Sequence, residues 1–391
     1  MALTKSFLSI SAALLASTLS ASALAAEALK IGMVLPLSGP YAAYGQQIER
    51  GARVYLQQHG GSIAGRKVEL ILKDDTGVAP EVSKRVAQEL LGTHKVDILA
   101  GFGLTPGALA VAPLATAARK PMIVMNAAAS KVTTQSSYIV RVSQTLPQVT
   151  APLATWSAMN RVGKVFTLVS DYGPGHDAEG EFKRTFKSLG GEIVGDARIP
   201  VGQLDFAKVL PRIKATQPDA VFLFVPPGAQ TVAFTKAFAQ AGLDKAGVRI
   251  IATGDLTEEG SLDAMGDSAL GLITAHHYSE NHNSPENKAY VQAYTQAYPT
   301  SRPNYMSVAG YDGMQLIAKV LAKTGGDASG ERFVATAKGL SWTSPRGVMT
   351  IGATTRDVVQ TVYIRKVQRV NGKLQNVEFD KVANVKDPGK E

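Results

Sequence analysis

The stretch Leu29-Lys30-Ile31-Gly32-Met33-Val34-Leu35-Pro36-Leu37-Ser38-Gly39-Pro40 joins a short apolar run to a turn rich in glycine and proline. A nearly continuous apolar run of this length predicts a strand buried on both faces, which is typical of a parallel sheet covered by helices. We predict that this strand covers residues 29–37. The turn leads into two aromatic residues, Tyr41 and Tyr44. The segment therefore favours an α/β fold that begins at residue 29.

The residues before this strand have the pattern of a secretory signal. Lys5 provides a positive charge, residues 7–19 are mostly apolar, and Ala23-Leu24-Ala25 fits the small-x-small rule for cleavage. We predict a signal peptide over residues 1–26, cleaved near Ala25 or Ala26. The alternative is a membrane anchor, but the segment is short of the ~20 strongly apolar residues that a spanning helix needs.

The composition of the chain limits the class of protein and its cellular location. The chain has 391 residues, 45% apolar and 19% charged, which indicates a globular protein with two domains. It has no cysteine, so disulfides, thiolate metal ligands and a lipidated cysteine are excluded. An exported protein without that anchor is retained only behind an outer membrane, so we predict a periplasmic location. The net charge of +9 is scattered along the chain, which does not favour nucleic-acid binding.

Strand-like and helix-like segments alternate along most of the chain. Two sets of strands are predicted, at 29–37, 68–74, 97–102 and 121–126, and then at 164–170, 192–199, 220–225 and 248–253. The helical patterns between them cover residues 46–58, 81–91, 108–119, 179–189, 206–215 and 229–241. This alternation predicts two doubly wound, Rossmann-like parallel-sheet lobes.

The last third of the chain has a different pattern. Residues 286–298, 306–323 and 331–338 are helical in sequence, and 347–351 and 358–370 resemble strands. Asn371-Gly372 is a strong hairpin turn that leads into residues 374–379. We predict an N-terminal lobe of residues 27–146 plus 276–351 and a C-terminal lobe of residues 147–275 plus 352–391. Three crossings, the first within residues 138–152, would then form a hinge around a cleft at the strand ends.

Three strand-to-helix junctions carry candidate ligand-binding residues. Thr105 is predicted to cap a helix whose first N–H groups face the cleft, which suits a carboxylate. Ser130 offers a hydroxyl after the next strand, and Asp255 offers a carboxylate on the opposite lobe. For each of these residues taken alone, the alternative to ligand binding is a structural role in capping a helix or forming a turn. His276 and His277 point to opposite faces of a strand, so a metal site is not favoured, and His277 is a candidate for the pocket wall.

The quoted N-terminal segment, Asp74-Asp75 and the stretch 101–130 together resemble the leucine/isoleucine/valine-binding family of type I periplasmic proteins, which serve ABC importers. The resemblance runs through the whole chain after the signal. It implies that Thr105, Ala128 and Ser130 hold a ligand carboxylate. It also implies that Tyr44 or Tyr41 covers the ligand and that Asp255 binds its amino group, with Tyr172 completing the site when the hinge closes.

Three departures from the family pattern change the expected ligand. Pro174 replaces a tyrosine, Pro226-Pro227-Gly228 replaces a polar loop, and Phe102 replaces a smaller or polar residue. All three make the pocket more apolar, so we predict an aromatic acid such as a benzoate, hydroxybenzoate or hydroxycinnamate. A branched-chain amino acid is the alternative ligand.

The predicted role is that of a non-enzymatic substrate-binding component of an importer. No nucleophile elbow, phosphate loop or zinc helix is present in the sequence, so neither an enzyme nor a cofactor is predicted. The expected partner is an ABC permease in the inner membrane, and the protein is expected to be a monomer. The alternative role is ligand sensing, in which the protein binds its ligand and then acts on a signalling partner.

Overall fold

The structure, a computed structural model, describes residues 27–390, so the predicted signal peptide lies outside the described residues. Within residues 27–390, none of the helices combines the length and apolar character needed to cross a membrane. The described chain forms two α/β lobes, each built around its own sheet.

The first lobe contains a six-stranded sheet. Its strands are β1 (Leu29–Leu35), β2 (Ser62–Ile63), β3 (Arg66–Asp74), β4 (Ile98–Gly101), β5 (Met122–Val124) and β6 (Ile139–Arg141). They lie in the order β2-β3-β1-β4-β5-β6, and only the short β2 is antiparallel to its neighbour. Every residue of β4, β5 and β6 is buried, as expected for a parallel sheet with helices on both faces.

The second lobe contains a nine-stranded mixed sheet. Its strands are β7 (Lys164–Ser170), β8 (Glu192–Ile199), β9 (Ala220–Phe224), β10 (Arg249–Thr253), β11 (Ile273–His276), β12 (Ser341–Ser344), β13 (Gly347–Ile351), β14 (Val358–Val370) and β15 (Lys373–Val385). The order is β12-β13-β14-β11-β10-β9-β7-β8, with β15 paired to β14. Strands β7 to β11 are parallel, and the last four strands are antiparallel.

Eleven α-helices occur in the described chain. They are α1 (Ala42–Gln58), α2 (Pro80–Gly92), α3 (Thr105–Ala118), α4 (Leu146–Met159), α5 (Gly173–Ser188), α6 (Leu210–Thr216), α7 (Ala229–Gln240), α8 (Glu259–Met265), α9 (Pro285–Ala297), α10 (Tyr305–Thr324) and α11 (Gly330–Ala337). Glycines bring α1 and α10 together. A Cβ on Gly51 would lie 1.7 Å from the carbonyl oxygen of Ser307, and one on Gly310 would lie 2.0 Å from that of Ile48.

The first crossing between the lobes is shorter than the predicted stretch of residues 138–152. Part of that stretch is strand β6, and from Leu146 onward it is helix α4. Pro147 stands in the first turn of α4, where a missing N–H costs nothing, and Pro152 lies inside the helix. The prolines are therefore part of a helix and do not mark a linker.

The segment 341–351 belongs to both lobes. Its strands β12 and β13 hydrogen-bond within the second sheet, whereas the side chains of Trp342, Met349 and Ile351 pack in the core of the first lobe. Arg346 lies between the two strands and is buried. It pairs with Asp312 of α10 at 2.7 Å and also contacts a carbonyl of the first crossing. The predicted boundary at residue 351 remains a prediction.

Candidate functional site

A small cavity lies between the two lobes, at the carboxyl ends of their strands. Its free volume is about 20 Å³, and its lining contains no lysine or arginine among the described residues. Five of the predicted site residues line it: Tyr44, Thr105, Ala128, Tyr172 and Asp255. The cavity thus brings together the ends of strands that are far apart in sequence, as predicted for a doubly wound fold.

Helix α3 presents its N-terminus to the cavity. Gly101 and Phe102 both have left-handed backbone angles, with φ values of +99° and +64°, which turn the chain sharply between β4 and α3. Thr105 is the first residue of the helix and not its N-cap, which is Leu104, so this part of the prediction is wrong. The hydroxyl oxygen of Thr105 accepts a hydrogen bond from the Ala129 N–H at 3.2 Å. Its own hydrogen is left to donate to a ligand.

Arg141 holds the loop 127–130 against the cavity. Its guanidinium donates to the carbonyl oxygens of Ala127 and Ala129 at 3.0 and 2.7 Å. It also forms a fully buried ion pair with Asp357 at 2.7 Å. Because the loop carbonyls are directed toward Arg141, they do not present negative dipoles to a bound anion. Arg141 was not predicted as a site residue, since it does not touch the cavity and acts through the loop.

Asp255 is the only acidic residue in the described lining of the cavity. It accepts hydrogen bonds from the hydroxyls of Thr253 at 2.8 Å and Tyr305 at 3.0 Å. Burial raises the pKa of the Asp255 carboxyl, and these two hydrogen bonds and the charge of Arg365 oppose that rise. Each carboxylate oxygen keeps one lone pair, so Asp255 is able to accept a further hydrogen bond from a ligand.

Aromatic rings and prolines form most of the remaining wall. The ring of Tyr172 lies parallel to that of Phe224, with 6.1 Å between centroids, and the Tyr44 hydroxyl donates to the Pro227 carbonyl at 3.0 Å. Burial raises the pKa of Tyr44, Tyr172 and Tyr305 well above the usual value, so their hydroxyls stay protonated. Flat, apolar walls of this kind suit a planar ring.

Two predicted residues lie away from the cavity. Phe102 is fully buried in the core of the first lobe, because its left-handed backbone directs the side chain away from the cleft. Ser130 uses both of its donors on carboxylates of the protein. Its N–H donates to Asp177 at 2.8 Å, and its hydroxyl donates to Asp387 at 2.6 Å. In this conformation Ser130 therefore has no donor left for a ligand carboxylate.

The remaining predicted residues lie near the cavity without lining it. Tyr41 is half-buried in an outer groove at the mouth of the cleft. His277 is fully buried behind the site, where it packs on His276 with 4.4 Å between ring centroids. Burial lowers the pKa of both histidines well below the usual value, so both rings are neutral. Residues 27–390 contain no cluster of three or more side chains suited to a metal ion.

The lining also contains two amide side chains, Asn126 and Gln144, and the ring of Tyr305, none of which was predicted as a site residue. Asn126 and Gln144 are 7% and 1% exposed, and the side-chain oxygen of each lacks a hydrogen-bond partner in the described structure. Buried polar groups of this kind need a partner, which a ligand in the cavity would provide. Asn126 stands in the segment that the sequence singled out, whereas nothing in the sequence links Tyr305 to Asp255.

Glu259, a buried carboxyl in the first turn of α8, predicts a specific pH dependence of stability. Burial raises the pKa of the Glu259 carboxyl from 4.5 to about 7. Between these values the folded state holds a proton that the unfolded state has lost, so stability falls as the pH rises through this window. The loss across the window is about 3 kcal/mol. Glu259→Gln should remove this loss, because an amide oxygen still accepts from Asn376, which donates at 3.0 Å.

Urea unfolding of wild type and Glu259→Gln at pH 5 and pH 8 tests this prediction. The variant should be clearly more stable than wild type at pH 8, and the difference should shrink at pH 5. Glu286→Gln, an exposed position in the first turn of α9, is the matched control. A Glu259→Gln advantage of the same size at both pH values would contradict the assignment.

Two α/β lobes with a cavity between them at the strand ends are the arrangement of a bilobal solute-binding protein. Comparison with known families gives the same class, since residues 28–373 match the family model described as periplasmic binding protein. The chain belongs to this family. It is 40% identical over 374 residues to Leu/Ile/Val-binding protein homolog 6 of Brucella melitensis, an alignment that covers 95% of this chain and 96% of the relative.

Two solved structures are similar over nearly the whole chain. A solute-binding protein of an ABC transporter from Rhodopseudomonas palustris BisB5, in complex with 3,4-dihydroxybenzoic acid, is 48% identical with a TM-score of 0.90. Another from R. palustris, in complex with 4-hydroxybenzoate, is 41% identical with a TM-score of 0.89. Each match covers 93% of this chain and 99% of the other. The predicted fold, family and non-enzymatic binding role are therefore confirmed.

Proposed function

We propose that this protein captures a small aromatic acid, with a hydroxybenzoate as the leading ligand, for an ABC importer. The observation that carries the proposal is one cavity with an anion-binding helix start on one lobe, a buried carboxylate on the other, and flat rings between them. The ligands of the two R. palustris proteins, a hydroxybenzoate and a dihydroxybenzoate, support the same chemistry.

The ligand carboxylate would bind at the start of α3. The first N–H groups of a helix have no partner within the helix and carry partial positive charge. The Thr105 hydroxyl adds a donor there, and Ala128 brings the neighbouring loop to the same wall. With no lysine or arginine in the described lining, the anion would be held by dipoles, a common arrangement at helix starts.

The ring and its hydroxyl would face the second lobe. A phenol hydroxyl is a hydrogen-bond donor, and Asp255 has acceptor capacity left after Thr253 and Tyr305 have donated to it. The cavity is small, with a free volume of about 20 Å³ in this closed arrangement, so a single ring fits better than a larger molecule. The parallel rings of Tyr172 and Phe224 offer a surface for stacking.

A branched-chain amino acid remains the alternative, because Asp255 is also able to pair with an ammonium group. The names of the Brucella relatives give this alternative some support. The walls favour the aromatic acid, since Pro226, Pro227 and the ring of Phe224 present flat faces.

The rest of the proposed role follows from the family. We propose a periplasmic location after cleavage near Ala25 or Ala26, and capture by hinge closure of a monomer. Tyr172 and Asp255 would reach the ligand from the second lobe when the lobes close. The closed form would then dock on a permease of the inner membrane.

A ligand panel tests the proposed function directly. Purified protein, unfolded and refolded to remove host ligand, is titrated by calorimetry with 4-hydroxybenzoate, benzoate and leucine. We expect 4-hydroxybenzoate to bind most tightly and to raise the melting temperature, because a ligand at 100 times its Kd adds about 2.7 kcal/mol of stability. Binding of leucine with no response to either aromatic acid would overturn the proposal.

A further inference from the structure

The cavity is separated from the mouth of the cleft by a thin wall. Pro226 and Pro227 line the inner cavity on one side and an outer groove on the other. The first lobe meets this wall with Tyr44, which lines the inner cavity, and Tyr41, which lines the groove. The two tyrosine rings pack edge to face with 5.3 Å between centroids.

The wall is attached to the first lobe by one side-chain hydrogen bond in the described structure. The Tyr44 hydroxyl donates to the Pro227 carbonyl at 3.0 Å, across the cleft. Neither proline has an N–H, so the pair donates no backbone hydrogen bond of its own. Gly228 follows with φ +111° and no atom within 4 Å of the place a Cβ would take. The wall is therefore held to the first lobe at Pro227, and at Gly228, whose left-handed backbone favours glycine, it continues into helix α7.

The outer groove is larger than the cavity. Its free volume is about 430 Å³ against about 20 Å³ for the cavity, and its lining is mostly apolar. Val78 and Leu204, which line it, are 48% and 54% exposed. If the wall moved, the groove would become continuous with the cavity, because both share Pro226 and Pro227.

We propose that the Tyr44–Pro227 hydrogen bond closes the cavity at the length of one ring and that the groove takes the excess length of longer aryl acids. These are acids with two or more carbons between ring and carboxylate. The inference rests on the proposed function, and it makes Tyr44 a specificity residue that acts through the wall. Because the Tyr44 hydroxyl donates its hydrogen to Pro227, it has no hydrogen left to donate to the ligand in the closed state.

The test compares two acids that share a phenol ring and a carboxylate and differ by a two-carbon spacer, 4-hydroxybenzoate and 4-hydroxycinnamate. Wild type should prefer the shorter acid. Tyr44→Phe keeps the ring and removes the hydrogen bond, so the preference should shift toward the longer acid by roughly 2- to 10-fold. Tyr298→Phe, which removes a tyrosine hydroxyl at the end of α9, outside both the cavity and the groove, should leave the preference unchanged.

A second measurement does not depend on comparing affinities. Hydrogen exchange of protein saturated with 4-hydroxybenzoate, and so closed, reports the amides of residues 228–232, directly after the two prolines. Exchange there should be faster in Tyr44→Phe than in wild type or Tyr298→Phe. If neither aromatic acid binds, the proposed function fails. Unchanged exchange in Tyr44→Phe would separately show that the Tyr44–Pro227 hydrogen bond does not hold the wall in place.

Leu204→Asn identifies where the extra length goes. In the Tyr44→Phe background it should weaken 4-hydroxycinnamate by several-fold and leave 4-hydroxybenzoate unchanged, since only the longer acid would reach the groove. Three outcomes would overturn the proposal. They are unchanged selectivity in Tyr44→Phe, an equal loss of affinity for both acids in Tyr44→Phe, and unchanged affinity for the longer acid when Leu204→Asn is added.

Discussion

Arg141→Met should lower the free energy of unfolding by about 3 kcal/mol or more, and it should also weaken ligand binding. The substitution leaves the Asp357 carboxylate buried with only Lys390 as a charged partner. It also removes the donors that satisfy the carbonyls of Ala127 and Ala129. Affinity should fall because the loop 127–130, which forms one wall of the cavity, loses its support.

Arg119→Met is the matched control for this prediction. Arg119 also pairs with a carboxylate, Glu331, but both partners are exposed at the surface. Surface ion pairs contribute little, so this variant should unfold and bind almost as wild type does. Urea unfolding followed by circular dichroism, with calorimetry at a temperature where both variants are folded, measures the two effects. Equal stability of the two variants would refute the structural role of Arg141.

Asp255→Asn should weaken 4-hydroxybenzoate by roughly 10- to 150-fold and leave benzoate unchanged or slightly improved. The first effect is the loss of a hydrogen bond to a charged acceptor, about 1.5–3 kcal/mol. Benzoate has no hydroxyl to donate, so its binding leaves the carboxylate without that partner in wild type. Removing the buried charge therefore costs benzoate nothing.

Calorimetric titration of both acids into both proteins measures this difference. Asp263→Asn, at an exposed position on α8, controls for a general change of charge in the second lobe. An equal loss for benzoate and 4-hydroxybenzoate would show that Asp255 does not contact the ring hydroxyl. Leucine binding by wild type that is lost in Asp255→Asn would favour the amino-acid alternative.

The alternation of apolar strands and amphipathic helices was enough to predict two α/β lobes. It failed where tertiary context decides the structure. The pair Pro147 and Pro152 indicates a linker in sequence, yet Pro147 lies in a first helical turn and Pro152 within the same helix, packed on the second lobe. Strands β12 and β13 hydrogen-bond to one lobe and pack against the other, which no local pattern encodes.

The site was predictable where function depends on position at a strand end. Thr105, Ala128 and Asp255 follow predicted strands, and all three line the cavity. Phe102 was misjudged because its direction depends on a left-handed backbone that the sequence does not announce. Ser130 has the chemistry of a ligand donor, but carboxylates from distant segments already occupy it. Its role in the site remains a prediction.

The absence of lysine and arginine from the described lining has a consequence for the salt dependence of binding. Attraction between full charges is screened by dissolved salt, with a Debye length of about 10 Å at 0.1 M, whereas short hydrogen bonds inside a closed cavity are screened far less. An acid held by hydroxyls and peptide dipoles would therefore lose less affinity with added salt than an acid paired with an exposed lysine or arginine.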